Sequence, residues 1–217
     1  MIKLKALLKA SHFGPTLIVT TIGFGFSWYY LNFFESLFVA FGIFTGQLVV
    51  GWSNDLYDLA DDLKHQRLSK PLVVESINTD YLINWLKIMT PLSFALNLLG
   101  PLGLEGGLVY QLGIACGVAY NFYFKFSWMS PLPFAVAFAA LPSSIAISAG
   151  VQPPVWMWLG GASLGVAAHF INVLKDMEQD QQSEIRGLPQ RLGSRNSKVA
   201  AGVLILIGLT TVFMAVI

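Results

Sequence analysis

The chain has 217 residues, of which 55% are hydrophobic and only 12% charged, against about 25% charged in a soluble domain. With a mean hydropathy of +0.63, that balance excludes a water-soluble globular domain and reads as a polytopic membrane protein. The lone Cys116 lies in an apolar run, which excludes a disulfide framework or a thiolate metal cluster, and the net charge of +1 hides a strong segregation of basic residues.

A spanning helix needs about 20 mostly apolar residues, and the chain offers about seven such segments. Lys3, Lys5 and Lys9 lead into the first, Phe13–Tyr30; with no small-residue cleavage site in view, it reads as a spanning helix and not a removed leader. The second, Leu37–Trp52, carries Gln47 and Gly51 and opens into a long polar stretch, Ser53–Tyr81. That stretch begins with Asn54, Asp55, Asp58, Asp61 and Asp62 and continues with Lys64, Arg67 and Lys70. Leu82–Leu99, Leu104–Phe124 and Leu132–Ala149 follow, with Tyr120 near the end of the middle segment and Lys125 directly after it. The sixth segment, Val155–Val173, carries Gly165 and His169 and ends at Asn172 and Val173. The second long polar stretch, Leu174–Ser197, holds Lys175, Asp176, Asp180, Arg186 and Arg191. Val199–Ile217 is the last apolar segment. The fold expected is all-α, a polytopic membrane helix bundle forming a single domain over 1–217.

Orientation follows from Lys and Arg. With the N-terminus in the cytoplasm, every basic residue falls on the inner side or, for Lys87, near the inner end of the third segment. The outer loops Asn32–Ser36, Gly100–Gly103 and Gly150–Pro154 hold none, which is the positive-inside pattern. The chain is therefore placed in the plasma or inner membrane, with both long polar stretches on the cytoplasmic side.

The two polar stretches repeat one pattern. Asn54, Asp58 and Asp62 and, in the later stretch, Asn172, Asp176 and Asp180 each form Asn-x3-Asp-x3-Asp, and Pro71 and Pro189 follow at the same distance. At about 100° per residue, each trio covers roughly an 80° arc of one helix, with Asp55 and Asp61 just outside the edges of the first. Carboxylates stacked at the end of a membrane helix repel one another, and a divalent cation relieves that repulsion. Hard oxygen ligands suit Mg²⁺, which commonly takes one or two carboxylates plus phosphate oxygens of a substrate. Two such faces opposite each other can hold Mg²⁺ ions and a diphosphate between them. Lys64, Arg67, Lys70, Lys125, Lys175 and Arg191 are the nearby cations for its oxygens, although each also obeys the positive-inside rule.

These residues resemble the UbiA superfamily of intramembrane prenyltransferases. Its first hallmark, NDxxDxxxD, is matched by Asn54, Asp55, Asp58 and Asp62, and its second, DxxxD, by Asp176 and Asp180. Further echoes are Lys70-Pro71-Leu72, Arg186-Gly187-Leu188-Pro189, Tyr120-Asn121 with Lys125, and Ser11-His12-Phe13-Gly14-Pro15-Thr16. The resemblance implies Mg²⁺-dependent transfer of a prenyl group from an isoprenyl diphosphate to a membrane-accessible acceptor, often an aromatic ring. It implies that Asp55, Asp58, Asp62, Asp176 and Asp180 bind the metal, with Asp58, Asp176, Tyr120 and Lys125 closest to the reaction. Asn54, Asn172 and the cations named above would hold the diphosphate. The partners implied are the diphosphate, the acceptor and the lipid bilayer, and no nucleic acid. Members usually have nine spanning helices against about seven here, so the chain is either a fragment or reduced version, or an oligomer or partner replaces the absent pair.

Extending the arcs into the membrane adds Gln47, Gly51, Gly165 and His169. Each glycine reads equally as room for a substrate or as close helix packing. His169 reads as an acceptor-side residue or as a hydrogen-bond partner of a neighbouring helix. Two other functional readings stay open: an intramembrane terpene cyclase or diphosphate lyase without a separate acceptor, and a non-catalytic isoprenyl-diphosphate-binding protein.

Overall fold

A computed structural model describes residues 2–216. Among these residues every regular element is helical: α1 Ile2–Ala10, α2 Phe13–Tyr30, α3 Phe33–Lys64, α4 Thr79–Leu99, α5 Gly103–Phe122, α6 Leu132–Ser148, α7 Gly161–Gln182 and α8 Leu188–Val216. A 3-10 turn at Phe124–Phe126 follows α5, and a π-helical turn at Trp156–Gly160 leads into α7. Four helices are long and apolar enough to cross a membrane, namely α3, α4, α7 with its π turn, and α8. The shorter α2, α5 and α6 complete the bundle beside them. Ile217, the last residue of the final expected segment, lies outside the described residues.

Both polar stretches begin as helix, as the spacing of the two trios expects, so the helices outrun the apolar segments that end at Trp52 and Val173. α3 is 32 residues long, about 48 Å at 1.5 Å per residue, against a hydrocarbon core of about 30 Å. Its last three turns therefore stand clear of the apolar layer and carry Asn54 to Asp62. They stay helical because Leu56 and Leu59 continue the packing stripe begun by Leu48 and Trp52. α7 likewise runs through Asp176 and Asp180 to Gln182. A capping box starts α3, with Asn32 Oδ1 accepting from the Glu35 N–H at 3.0 Å and Glu35 accepting from the Asn32 N–H at 3.2 Å. α8 also begins earlier than its apolar run, at Leu188, and is broken at Gly193, whose φ of 77° suits glycine.

α3 is the central strut. α2, α4 and α5 pack along it, α6 closes against α2 and α5, and α7 and α8 extend the bundle beyond α6. At the polar end, α1 folds back so that Ala6, Leu7 and Ala10 join Leu48, Trp52 and Leu82 in one buried cluster. Trp52 fixes that fold-back, its indole N–H donating to the Leu7 carbonyl at 2.9 Å. The opposite end is filled by Val39, Ile43, Tyr110, Ile114 and Ile145. Leu206 and Phe213 on α8 stay 66% and 63% exposed, as expected for a helix facing lipid, where nothing drives apolar side chains inward.

The two glycines singled out above are packing positions. A Cβ on Gly51 would collide with the backbone of Ser11, and one on Gly165 with the Phe134 carbonyl and the Phe138 side chain. Gly51 lets the α1–α2 corner sit directly on α3, and Gly165 brings α7 against α6. Neither leaves room for a substrate.

Candidate functional site at the polar ends of α3 and α7

The carboxylates of α3 face inward at its polar end. Asp55 and Asp62 are 2% and 1% exposed, so each needs a compensating charge or hydrogen bond. Lys70, from the loop after α3, reaches Asp55 Oδ1 at 2.6 Å and Asp62 Oδ2 at 3.9 Å. Arg67 donates to Asp62 Oδ1 at 2.6 Å and forms an ion pair with Asp61 Oδ2 at 2.9 Å. Lys125, buried just after α5, pairs with Asp58 Oδ1 and lies 4.8 Å from the centre of the Tyr57 ring. One carboxylate oxygen, Asp55 Oδ2, is buried with no partner.

Asn54 knits this face together. Its amide donates to Asp58 Oδ2 at 3.0 Å and to Asn121 Oδ1 at 3.3 Å, and its carbonyl oxygen lies 3.1 Å from His12 Nε2. Gln47 lies two turns deeper on α3, beside Tyr110, whose hydroxyl donates to the Ile43 carbonyl at 3.0 Å.

The second motif comes to the same place from α7. Arg67 crosses to it: one guanidinium N–H donates to Ser183 Oγ at 2.7 Å, and Ser183 in turn donates to Asp61 Oδ2 at 2.7 Å. With its carbonyl turned inward, Gln179 accepts from Arg67 Nε at 2.6 Å. Asp180 accepts from Gln190 Nε2 at 2.8 Å and lies within the electrostatic reach of Asp176, Arg67 and Lys125. Tyr120, on the inner face of α5, packs edge-on against Phe134 at 5.1 Å and His169 at 5.5 Å, and Asp58, Asp176 and Asp180 act on its hydroxyl electrostatically.

The expected site residues therefore divide. Asn54, Asp55, Asp58, Asp62, Arg67, Lys70, Tyr120, Lys125 and Asp180 form one interacting group. Asn172, Lys175 and Asp176 are exposed on α7, Asp176 on the side of Tyr120 and Asp180. Lys64 points to the surface. Arg191 is also exposed and caps its own neighbourhood, donating to the Arg186 carbonyl at 2.7 Å. His169 is not at the surface of a cavity: it is 1% exposed, 3.0 Å from the Ser130 hydroxyl, and enclosed by the Phe134, Tyr120 and Phe170 rings. Ser130 also accepts the Leu188 N–H, so this trio ties the start of α8 to the turn before α6.

Several residues beyond that set join the site: His12, Asp61, Asn121, Gln179, Ser183 and Gln190. His12 and Asn121 stand in motifs noted above, and Asp61 flanks the first arc. Ser183 and Gln190 carry no sequence signal, because only the meeting of α3, α7 and α8 gives them a role.

The match to known proteins follows this geometry. A model of the UbiA prenyltransferase family covers residues 16–217. The chain belongs to the UbiA prenyltransferase family. Its fold is similar to a UbiA homolog from Archaeoglobus fulgidus solved with DMAPP and Mg²⁺, at 18% identity and a TM-score of 0.78 over 95% of this chain and 76% of that one. It is also similar to a UbiA homolog from Aeropyrum pernix K1 solved in the apo state, with 15% identity, a TM-score of 0.72, and 97% and 78% of the two chains covered. A digeranylgeranylglyceryl phosphate synthase gives 19% identity and a TM-score of 0.71, over 97% of this chain and 76% of that one. No curated protein sequence matches the chain. In this UbiA member the two hallmark motifs occupy the ends of α3 and α7, as the expected architecture requires.

Among the described residues no three His, Cys, Asp or Glu side chains are gathered tightly enough to hold a metal alone. Mg²⁺ rarely uses an all-protein cage and completes its shell with waters and substrate phosphate oxygens. The oxygen-only donor set and the unpartnered Asp55 Oδ2 fit that ion.

Proposed function

We propose that this UbiA family member transfers a prenyl group from an isoprenyl diphosphate to a membrane-accessible acceptor, with Mg²⁺ as cofactor and the site on the cytoplasmic side. The observation that carries the reading is the meeting of the two motif ends, where Arg67 pairs with Asp62 of the first motif helix and donates to Ser183 at the end of the second, which in turn donates to Asp61. The solved relatives bound to DMAPP or GPP with Mg²⁺ support the same chemistry.

Asp55, Asp58 and Asp62 on α3 and Asp176 and Asp180 on α7 would hold the metal, which when bound supplies positive charge to a leaving diphosphate. Arg67, Lys70 and Lys125 already stand among these carboxylates and offer N–H donors to phosphate oxygens. Such donors favour departure of the diphosphate because they are fixed in place before charge develops on it. Departure of the diphosphate would leave an allylic cation, which the apolar side of the site must keep from water. As the bond between the allylic carbon and the diphosphate oxygen breaks, the acceptor carbon bonds to the prenyl group, and its proton passes to the released diphosphate or to water.

Membranes holding the chain, incubated with labelled geranylgeranyl diphosphate, a mixed lipid-acceptor extract and Mg²⁺, test this directly. Diphosphate should be released and the label should move into a new lipid adduct. Release with the label left as free hydrocarbon or alcohol would replace transfer by a cyclase or lyase, and no release would leave a binding protein.

The cytoplasmic placement has its own test. In a Cys116→Ala background, Gln152→Cys in the loop before α7 should react with an impermeant maleimide in intact cells. Ser194→Cys should react only after permeabilisation. The reverse pattern would overturn the orientation.

A further inference from the structure

We propose that His12 and Asn121 are positioning residues that lock the Asn54 amide, so that its N–H face is held toward Asp58; this rests on the metal-diphosphate reading of the site. A free asparagine amide turns over easily, and with its carbonyl toward Asp58 it would set oxygen against carboxylate. Three contacts prevent that. His12 Nε2 meets Asn54 Oδ1 at 3.1 Å, and since that oxygen can only accept, Nε2 carries the proton. A neutral imidazole suffices. At the other end, Asn121 Oδ1 accepts from Asn54 Nδ2 at 3.3 Å, leaving the second amide hydrogen for Asp58 Oδ2 at 3.0 Å. His12 also reaches Asp55 Oδ1 at 3.3 Å, so one ring spans two adjacent motif residues.

Both partners are themselves held. Asn121 is 4% exposed and its own amide donates to the Val50 carbonyl and to Ser53 Oγ, each at 3.0 Å. It therefore grips the same helix that carries Asn54. His12 sits at the α1–α2 corner with φ 53° and ψ 57°, a left-handed conformation uncommon outside glycine. The corner is pinned on three sides: Thr16 Oγ1 donates to the Ser11 carbonyl at 2.8 Å, Trp52 Nε1 donates to the Leu7 carbonyl at 2.9 Å, and Gly51 admits the Ser11 backbone. A mere bend would be better served by glycine. The backbone is set so that the imidazole Nε2 spans the gap to Asn54 Oδ1.

Residues that orient metal ligands typically cost about 10–100-fold in metal affinity or activity when removed. The test uses the full chain in detergent and Mn²⁺ as a paramagnetic probe for the Mg²⁺ site. His12→Gly, which relaxes the corner while deleting the ring, and Asn121→Ala should each weaken Mn²⁺ binding by about tenfold or more. His12→Gln should recover most of that loss, because its amide nitrogen lies as far along the side chain as imidazole Nε2. Thermal melts followed by tryptophan fluorescence establish that each variant compared is folded. Should His12→Gly not fold, Asn121→Ala carries the same expectation from α5. Where transfer is measurable, kcat should fall with binding while KM for the acceptor holds. Wild-type affinity in folded His12→Gly and Asn121→Ala, or His12→Gln no better than His12→Gly, would overturn the assignment. The expected Mn²⁺ pattern in a chain that transfers no prenyl group would support it while removing the transferase reading.

Discussion

Asp58→Asn and Asp176→Asn each lower prenyl transfer by about three orders of magnitude, the size expected when one preorganised charge is removed from a transition state. At position 58 the change also leaves the buried Lys125 ammonium without its carboxylate, so a melt accompanies the rate measurement. Asparagine keeps the shape of aspartate, and its oxygen can still accept from Asn54, but the charge facing Lys125 is gone. Asp176, exposed on α7, would act as a metal ligand from the second motif, and its change to asparagine removes that ligand's charge. Initial rates of label transfer at saturating diphosphate measure the effect. Chelation by EDTA should abolish the rate and added Mg²⁺ restore it. The double variant should lose little more than either single one, because residues acting as one unit are not additive. Undiminished transfer by both single variants would remove the enzymatic reading.

Arg67→Ala strikes stability as well as activity. Arg67 bridges the ends of the two motif helices, pairing with Asp61 and Asp62 on α3 and donating to Ser183 beyond α7. Its removal leaves Asp62 buried, with Lys70 at 3.9 Å as the remaining cation. Breaking a buried pair from one side costs about 3–5 kcal/mol. At about 2–4 °C per kcal/mol for a chain of this size, the melting midpoint falls on the order of 10 °C. Arg67→Lys should recover only part of this, since an ammonium cannot serve Asp61, Asp62 and Ser183 from one planar fork. Tryptophan-fluorescence melts of the two variants in one detergent decide the matter. An unchanged midpoint for Arg67→Ala would mean that α3 and α7 are held together elsewhere.

The sequence by itself determined what is local. Apolar run lengths placed α2 at its observed bounds, Phe13–Tyr30, because a helix closes its own hydrogen bonds within each segment. The four-residue spacing of Asn54, Asp58 and Asp62, and of Asn172, Asp176 and Asp180, put each trio on one helical face, since that follows from 3.6 residues per turn. Hydropathy erred where it stopped, at Trp52 and Val173, because charge ends an apolar run without ending a helix. What the tertiary structure decided is which side chains meet. Nothing along the chain distinguishes Arg67 from Lys64, or marks Ser183, yet α3 and α7 converge so that Arg67 reaches Ser183 across 116 residues while Lys64 faces outward. The His12–Asn54 and Asn54–Asn121 contacts span 42 and 67 residues. His169 lies on the expected face of α7, but the turn before α6 closes over it and makes it a buried tie to Ser130. Gly51 and Gly165 became contact points and not openings for the same reason. Hydrogen bonds and van der Waals contacts act over a few ångströms, so their partners are set by how helices pack, and periodicity within one helix cannot name them.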